Sequence, residues 1–253
     1  MTQKKGILLV HYGTARDGAR ASTVEVLEEE VRAAWPHARV ITAFSSDRMR
    51  AALEKRGIFY PDPASALEEM KDRGVRHLAV LTTHLLQGVE YEKTVHQLSE
   101  AAADFDVLRC TRPLLSEGQA KEVASVFSAV HPSRPRQLLL LVGHGTRLGD
   151  NAVYRELETA LRQMGRSARV ATLTDLDNAG ALPDLPPPET ADILLLPLLY
   201  TAGGHVASDL IEKEDSWKHT LERQGYRVDA VSRGMGEYDA FRTLYRKKLA
   251  EFL

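Results

Sequence analysis

Apolar runs alternate along the chain with segments in which apolar residues recur at helical spacing. The first half predicts strands that end at Val10, Phe44 and Thr82, and the second half predicts strands that end at Val142 and Leu199. Continuous apolar runs of this length are typical of strands that are buried on both faces of a parallel sheet. Shorter strands are predicted just before residue 109 and near residue 170.

The segments between these strands predict amphipathic helices, because apolar residues repeat there every three or four positions. The predicted helices cover approximately residues 20–35, 62–70, 90–102, 123–130, 153–161, 206–221 and 241–252. Asp62-Pro63 is a typical helix start, since Asp is a good N-cap and Pro fits the first turn. The proline-rich stretch 182–189 predicts an irregular connection, because proline lacks the backbone donor that a helix needs.

Two stretches of the first half recur in the second half. Gly13-Thr14 returns as Gly145-Thr146 at an offset of 132 residues (146 − 14), and Gly88 returns as Gly203 at an offset of 115 (203 − 88). We therefore predict an α/β fold made of two similar Rossmann-like domains with parallel sheets and a cleft between them. The halves are residues 1–131 and 137–253, joined by a polar, proline-containing segment. The C-terminal helix is free in this prediction to pack back on the first half.

Composition narrows the class of protein. The chain has 253 residues, of which 43% are hydrophobic and 27% charged, as in ordinary soluble globular proteins. A net charge of −2, with no long basic stripe, argues against a nucleic-acid partner. The single cysteine, Cys110, excludes an internal disulfide and fits a reducing compartment. The apolar run before His11 is too short for a leader or a membrane span, so we expect a cytoplasmic protein with no membrane partner.

Three residues lie at positions where this fold commonly has binding or catalytic residues. His144 follows a buried strand and lies between two glycines, and the carboxyl ends of parallel strands are where open α/β sheets bind ligands. Glu90 and His205 are brought into correspondence by the 115-residue offset, and each is predicted in the first turn of a helix. A helix N-terminus favours an ionised carboxylate and a neutral imidazole, the forms that bind a metal. If these residues have only a structural role, His144 is a turn histidine, and Glu90 and His205 are ordinary residues in the first turn of a helix.

Two imidazoles and one carboxylate suit divalent cobalt, iron, nickel or zinc, and they do not choose among these metals. The three candidates are 54 and 61 residues apart (144 − 90 and 205 − 144). Structural zinc sites instead use ligands in short pairs, often cysteines. The spacing therefore favours an open cleft, with His144, His205 and Glu90 as its metal-binding and catalytic residues.

Six motifs together give the chain a family resemblance. They are VHYGT at 10–14, HLLQGVEYEK at 84–93, GHG at 143–145, GGH at 203–205, DSWK at 215–218 and GMGE at 234–237. In this order and spacing the set resembles the anaerobic-type sirohydrochlorin cobaltochelatases, which are class II chelatases related to ferrochelatase. The resemblance spans nearly the whole chain.

The resemblance implies an activity and a site. It implies that Co²⁺ is inserted into sirohydrochlorin with release of two protons, in the anaerobic route to cobalamin, and that the tetrapyrrole lies between the two α/β halves. The metal-site histidines of the family fall on His144 and His205, and its acidic partner falls on Glu90. Cobalt is then a substrate, Fe²⁺ is a second possible metal, and no organic cofactor is expected.

The same resemblance implies a set of substrate-binding residues. They are His11, Tyr12, Gly13, Thr14, Arg16, His84, Gly88, Tyr91, Gly203 and Gly204. Arg16, together with Arg20, Lys93 and Arg147, is a candidate anchor for the carboxylates of sirohydrochlorin. The family commonly has Ser-Phe or Ala-Phe where this chain has His11-Tyr12, so His11 is open to two roles, an added ligand or a polar wall. Residues 172–177 and the proline-rich stretch also depart from the family pattern, at the rim of the cleft.

Other functions have different sequence requirements. A ferrochelatase for sirohaem synthesis uses the same fold with Fe²⁺, and a tetrapyrrole or metal carrier uses the same ligands without turnover. A histidine phosphatase needs an arginine immediately before its histidine, but this chain has Gly143 before His144. Whether the chain forms a homo-oligomer is left open by its sequence.

Overall fold

The structure, a computed structural model, describes residues 4–146, 151–175, 185–204 and 208–253. Within these ranges eight strands form two four-stranded parallel sheets. The strands are β1 (Lys4–His11), β2 (Arg39–Phe44), β3 (Val75–Thr82), β4 (Val107–Cys110), β5 (Gln137–Gly143), β6 (Ala168–Thr172), β7 (Asp192–Pro197) and β8 (Arg227–Ala230). The sheet orders are β2-β1-β3-β4 and β6-β5-β7-β8, so the predicted α/β class with parallel sheets is confirmed.

Helices connect the strands. They are α1 (Asp17–Arg20), α2 (Val26–Ala34), α3 (Asp47–Glu54), α4 (Pro63–Asp72), α5 (Val89–Glu100), α6 (Ala120–Val130), α7 (Ala152–Gln163), α8 (Trp217–Arg223) and α9 (Asp239–Ala250). A π-helical turn, Ala21–Glu25, joins α1 to α2, and short 3₁₀ turns occur at Ala102–Asp104, Leu173–Asp175 and Met235–Glu237. The Asp62 carboxylate accepts a hydrogen bond from the Ser65 backbone N–H at 2.8 Å, which confirms the predicted start of α4.

The chain divides into two compact units. The first contains the residues up to Leu114 together with Arg242–Leu253, and the second contains Leu115–Phe241. Each unit has its own apolar core, centred on Leu8 and Val80 in the first and on Leu140 and Leu195 in the second. Helix α6, which the sequence analysis assigned to the first half, thus belongs to the second unit. The last helix, α9, begins in the second unit and continues in the first.

The two sheets repeat one another in hydrogen-bond register. The Thr83 N–H donates to the Val10 carbonyl at 2.9 Å, and the Leu198 N–H donates to the Val142 carbonyl at 2.8 Å. The carbonyls are 132 residues apart (142 − 10) and the donors 115 apart (198 − 83), the same two offsets that the sequence motifs carry. The loops that follow the two central strands therefore leave equivalent points of each sheet.

One predicted helix is wrong. The segment 206–221, predicted as continuous, contains a π-helical turn at Ser208–Glu212 and then α8, which begins only at Trp217. The Ser216 hydroxyl accepts a hydrogen bond from the His219 backbone N–H at 3.3 Å and caps this second start. Trp217 and Leu221 are both buried on one face of α8. The apolar spacing therefore continues past the break, although the helix does not.

Two elements were not predicted. Helix α3 is only eight residues long, and its start depends on the Ser46 side chain, which accepts a hydrogen bond from the Met49 N–H at 3.4 Å. Strand β8 is only four residues long and lies at the edge of its sheet with Arg227 exposed. Both elements are too short to show the extended apolar pattern on which the sequence analysis relied.

Candidate functional site

His11, the last residue of β1, is a buried imidazole at the carboxyl edge of the first sheet. It is 1% exposed, and its Nδ1 lies 2.9 Å from the Thr83 hydroxyl. Its carbonyl accepts a hydrogen bond from the Ser45 N–H at 2.8 Å, which joins the ends of β1 and β2. Burial, and to a smaller extent the neighbouring His84, lower the pKa of His11 to about 3. The imidazole is therefore neutral at physiological pH.

His84 is a second neutral imidazole, just beyond β3. Its Nε2 lies 3.2 Å from the Ser45 hydroxyl, and burial lowers its pKa to about 4. Its Nδ1 atom is buried and has no hydrogen-bond partner among the residues that the structure describes. Ser45 thus contacts both histidines, His11 through its backbone N–H and His84 through its hydroxyl. The first unit presents two uncharged ring systems at the same edge.

The turn after β1 is fixed by close packing. Gly13 has a φ of +99°, and a Cβ atom there would collide with the ring of Phe44. Phe44 in turn stacks on Tyr60, with ring centroids 4.1 Å apart. Thr14 is buried, whereas the Tyr12 side chain before the glycine is 48% exposed. In the VHYGT motif the histidine is therefore buried and the tyrosine is exposed to solvent.

Glu90 lies in the first turn of α5, as predicted. Gly88 is the N-cap of this helix and gives it no side-chain hydrogen bond, so acidic residues in the first turn are favoured by the helix dipole. The Oε2 atom of Glu90 is buried without a hydrogen-bond partner in the described part of the chain. The next residue, Tyr91, is buried edge-on to His84 with ring centroids 6.2 Å apart, and burial raises its pKa to about 12.

His144 is exposed on a tight turn at the end of β5. A Cβ on Gly143 would collide with the Tyr154 hydroxyl, and the same hydroxyl accepts a hydrogen bond from the Gly145 N–H at 3.2 Å. Gly145 has a φ of +71°, in the left-handed region that favours glycine. Gly143 is therefore required by packing and Gly145 by its backbone conformation, and the turn leaves His144 open to solvent.

The GMGE motif packs closely against the loop after β7 and donates hydrogen bonds to it. A Cβ on Gly234 would come within 2.6 Å of the Ala202 nitrogen and of the Tyr200 carbonyl oxygen. The next residues donate backbone hydrogen bonds to the loop, from Met235 to the Leu199 carbonyl at 2.8 Å and from Gly236 to the Tyr200 carbonyl at 2.8 Å. This loop leads to the predicted ligand-binding residues at its end.

Gly203 and Gly204 lie at the end of this loop after β7. The Gly203 N–H donates to the Thr201 carbonyl at 3.0 Å. His205 lies outside the described residues. Glu90 belongs to the first unit and His144 to the second. Their joint site with His205 therefore stays a prediction. Within the described ranges, no group of three or more His, Cys, Asp or Glu side chains is arranged to hold a metal ion.

The candidate carboxylate anchors differ in their surroundings. Arg16 is exposed and has no ion pair within the described part of the chain. Arg20 is instead buried and paired with two neighbouring carboxylates at 3.0 and 2.9 Å, so its charge is already balanced. Lys93 lies 3.1 Å from the Asp47 carboxylate. Arg147 lies outside the described residues.

Sequence reasoning missed the two hydroxyls that contact the histidines. Ser45 follows β2 and Thr83 follows β3, and each is small, polar and almost fully buried. The available signal was their position, because each is the first residue after a buried strand in a sheet whose neighbouring strand ends in His11. Separately, no helix in the described ranges is long and apolar enough to cross a membrane.

Comparison with known proteins gives independent evidence on the family of this chain. The chain matches the family model described as cobalt chelatase (CbiK) over residues 5–253. It is 31% identical to the sirohydrochlorin cobaltochelatase CbiKC of Nitratidesulfovibrio vulgaris strain Hildenborough, covering 94% of this chain and 86% of that protein. It is 27% identical to the sirohydrochlorin cobaltochelatase of Salmonella typhimurium, covering 99% of this chain and 97% of that protein.

A solved structure shares the fold. The sirohydrochlorin chelatase SirB from Bacillus subtilis subspecies spizizenii, in complex with cobalt, is similar with a TM-score of 0.67. The similarity covers 99% of this chain and 95% of that chain at 13% sequence identity. At such low identity the likeness concerns the arrangement of strands and helices alone.

Proposed function

The chain belongs to the cobalt chelatase (CbiK) family, and from this we propose that it inserts Co²⁺ into sirohydrochlorin with release of two protons. The observation that carries the proposal is the family match over residues 5–253, together with two relatives that are both named as sirohydrochlorin cobaltochelatases. The reaction exchanges two pyrrole N–H protons for one divalent metal ion. It needs a loosely held metal, basic groups for the protons and a cleft that orients the macrocycle.

We assign metal delivery to His144, His205 and Glu90. The exposure of His144 supports its role, because an imidazole that hands over a metal has to be accessible to it. Glu90 is supported for a different reason, because its buried Oε2 has no hydrogen-bond partner among the described residues and is left to bind a cation. Since Co²⁺ is the substrate, its ligands in the protein have to bind it reversibly, and two imidazoles and a carboxylate suit such a site.

The low pKa values of His11 and His84 assign them a different role. An imidazole with a pKa of about 3 or about 4 is a poor store for a proton at neutral pH. Such a ring remains uncharged, so it neither repels Co²⁺ nor competes for the protons that leave the macrocycle. We therefore propose that His11 and His84 form a neutral polar wall, and that the released protons pass to His144 and His205.

The macrocycle is bound through its carboxylates and its ring. Arg16 is the predicted anchor that remains available, because it is exposed and carries no ion pair among the residues described here. Tyr12, directly after β1, offers an exposed aromatic ring in the same turn. We further propose a cytoplasmic location, since the single cysteine fits a reducing compartment.

The test is an anaerobic assay in which sirohydrochlorin is mixed with Co²⁺ or with Fe²⁺ and a catalytic amount of protein. Absorbance spectra recorded over time report the metallated product. The proposal expects many turnovers per protein, with Co²⁺ inserted faster than Fe²⁺ relative to the protein-free reaction. A change that stops at one equivalent per protein would favour a carrier. Faster insertion of Fe²⁺ would favour sirohaem synthesis.

A further inference from the structure

Exposed large apolar side chains are concentrated at one edge of the first unit. In the described part of the chain, those with the greatest exposure are Tyr12, Phe59, Val89 and Met164. Tyr12 follows β1, and Val89 begins the helix that follows β3. Phe59 lies on the segment that returns from α3 to the end of β2. Single exposed apolar residues are common on protein surfaces, but three at the carboxyl edge of one sheet are not scattered.

Phe59 is the most exposed of them, at 73%, although the backbone on both sides is anchored. The Ile58 N–H donates to the Leu53 carbonyl at 3.1 Å, and the Phe44 N–H donates to the Pro61 carbonyl at 3.0 Å. Ile58 and Tyr60 both pack on the apolar cluster that contains Phe44. With its two neighbours directed into the core, Phe59 projects away from it.

The Phe59 segment is tied to the turn that carries Tyr12. One Arg56 nitrogen donates to the Ala15 carbonyl at 2.6 Å, and another lies 2.5 Å from the Asp17 carboxylate. These bonds connect the loop after α3 with the loop after β1. The exposed ring of Phe59 therefore belongs to the same rim as the VHYGT motif.

The charges around this rim are compatible with an anionic ligand. Arg16 and Lys55 are exposed, and neither has an ion pair within the described residues. Glu54 is also exposed nearby, so the rim is mixed in charge and the apolar ring carries the argument. A ligand that fits an exposed phenyl ring on a rim that also carries exposed cations is a flat, conjugated macrocycle edged with carboxylates. The substrate class of the proposed function has this chemistry.

We infer that Phe59 is a substrate-positioning residue, whose ring packs against the tetrapyrrole and holds it over the first-unit edge of the site. The inference rests on the proposed function, and it assigns to that site a residue outside the motifs that mark it in the sequence. A second copy of this chain is the other candidate occupant. The substrate is favoured because the Arg56 hydrogen bonds tie the Phe59 segment to the turn that carries Tyr12, and because exposed Arg16 and Lys55 lie on the two segments so joined.

The test measures binding of metal-free sirohydrochlorin to the full chain by fluorescence titration. Phe59→Ala is compared with Phe59→Trp and with a control, Met164→Ala, which removes an exposed side chain in the second unit. Phe59→Ala is expected to raise Kd roughly tenfold, which corresponds to about 1.4 kcal/mol. Phe59→Trp is expected to bind at least as tightly as the wild type. Met164→Ala is expected to leave Kd unchanged.

Turnover and sedimentation separate the outcomes. If the wild type binds and metallates sirohydrochlorin while Phe59→Ala binds equally well, the inference is wrong and the proposed function stands. Loss of self-association in Phe59→Ala, with Kd unchanged, would assign the ring to a contact between copies and also overturn it. If the wild type does not bind sirohydrochlorin at all, both proposals fail. Thermal unfolding of each variant checks that an increase in Kd does not come from misfolding.

Discussion

The Tyr154 hydroxyl fills the space that a side chain on Gly143 would need. The equivalent position in the first unit, 132 residues earlier (143 − 11), is occupied by His11. There the imidazole reaches Thr83, with Nδ1 2.9 Å from its hydroxyl. The two units thus use one strand-end position in opposite ways. The second unit has a glycine there, with the Tyr154 hydroxyl in the space and His144 next on a tight turn, whereas the first unit has a buried neutral ring.

Gly143→Ala is predicted to destabilise the second unit. The added methyl group meets the Tyr154 ring, with the Leu198 carbonyl at 3.2 Å behind it, so the core has to shift. Overpacking of this kind costs roughly 1–3 kcal/mol. Denaturant unfolding measures the loss, and adding Tyr154→Phe is expected to recover part of it by removing the hydroxyl. An unfolding free energy unchanged by Gly143→Ala would contradict the close packing described for this turn.

Folding stability is predicted to fall as the pH drops below about 6.5. The pKa values of His11 and His84 are about 3 and about 4 in the folded chain, so between these values and 6.5 the unfolded chain binds more protons. Stability is therefore fully present above about pH 6.5 and is lost toward pH 4, by as much as ~1.4 kcal/mol per pH unit for each histidine. Unfolding curves between pH 7.5 and pH 4.5 measure this slope.

The matched variants for this pH dependence are His84→Gln and His96→Gln. His84→Gln is expected to flatten the slope, since glutamine does not titrate. His96 is an exposed histidine on α5, with 75% of its side chain accessible, and its replacement is expected to leave the slope unchanged. A slope that is the same in the wild type and in His84→Gln would show that this ring is not held neutral by the fold.

Glu90→Gln is predicted to weaken the handling of cobalt without weakening the binding of sirohydrochlorin. The change keeps the size of the side chain and removes the charge that attracts a cation, so the Co²⁺ concentration for half-maximal rate is expected to rise roughly 10- to 100-fold. Glu92→Gln is the control, because Glu92 lies in the same helical turn and accepts a hydrogen bond from Gln87 at 2.7 Å. Equal Co²⁺ dependence in the two variants would remove Glu90 from the metal site.

The elements that position the site were predictable because they carry strong local patterns. The buried runs ending at Val10 and Val142 predicted the central strands, and the two sequence offsets predicted the internal repeat that the equivalent hydrogen bonds of Thr83 and Leu198 display. The family named from the motifs is confirmed by the match over residues 5–253. These features depend on residues close in sequence or on a repeat that is visible in it.

What the sequence did not reveal depends on side chains that meet across the fold. Ser45 and Thr83 each follow a buried strand, but their sequence neighbours do not indicate which histidine each hydroxyl contacts, because each contact joins the ends of different strands. The helix predicted over 206–221 was wrong for a related reason. Apolar spacing continues through the break before Trp217, whereas the Ser216 cap that begins a new helix is a single polar residue.

The most direct test of the central claim compares the wild type with His144→Ala in anaerobic metallation of sirohydrochlorin by Co²⁺, with protein in catalytic amounts. His96→Ala is the control, since it removes an exposed histidine from α5. The account predicts many turnovers for the wild type and the control, and insertion no faster than the protein-free reaction for His144→Ala with its binding of sirohydrochlorin retained. Wild-type rates in His144→Ala would contradict the proposed role of His144 in the chelatase site.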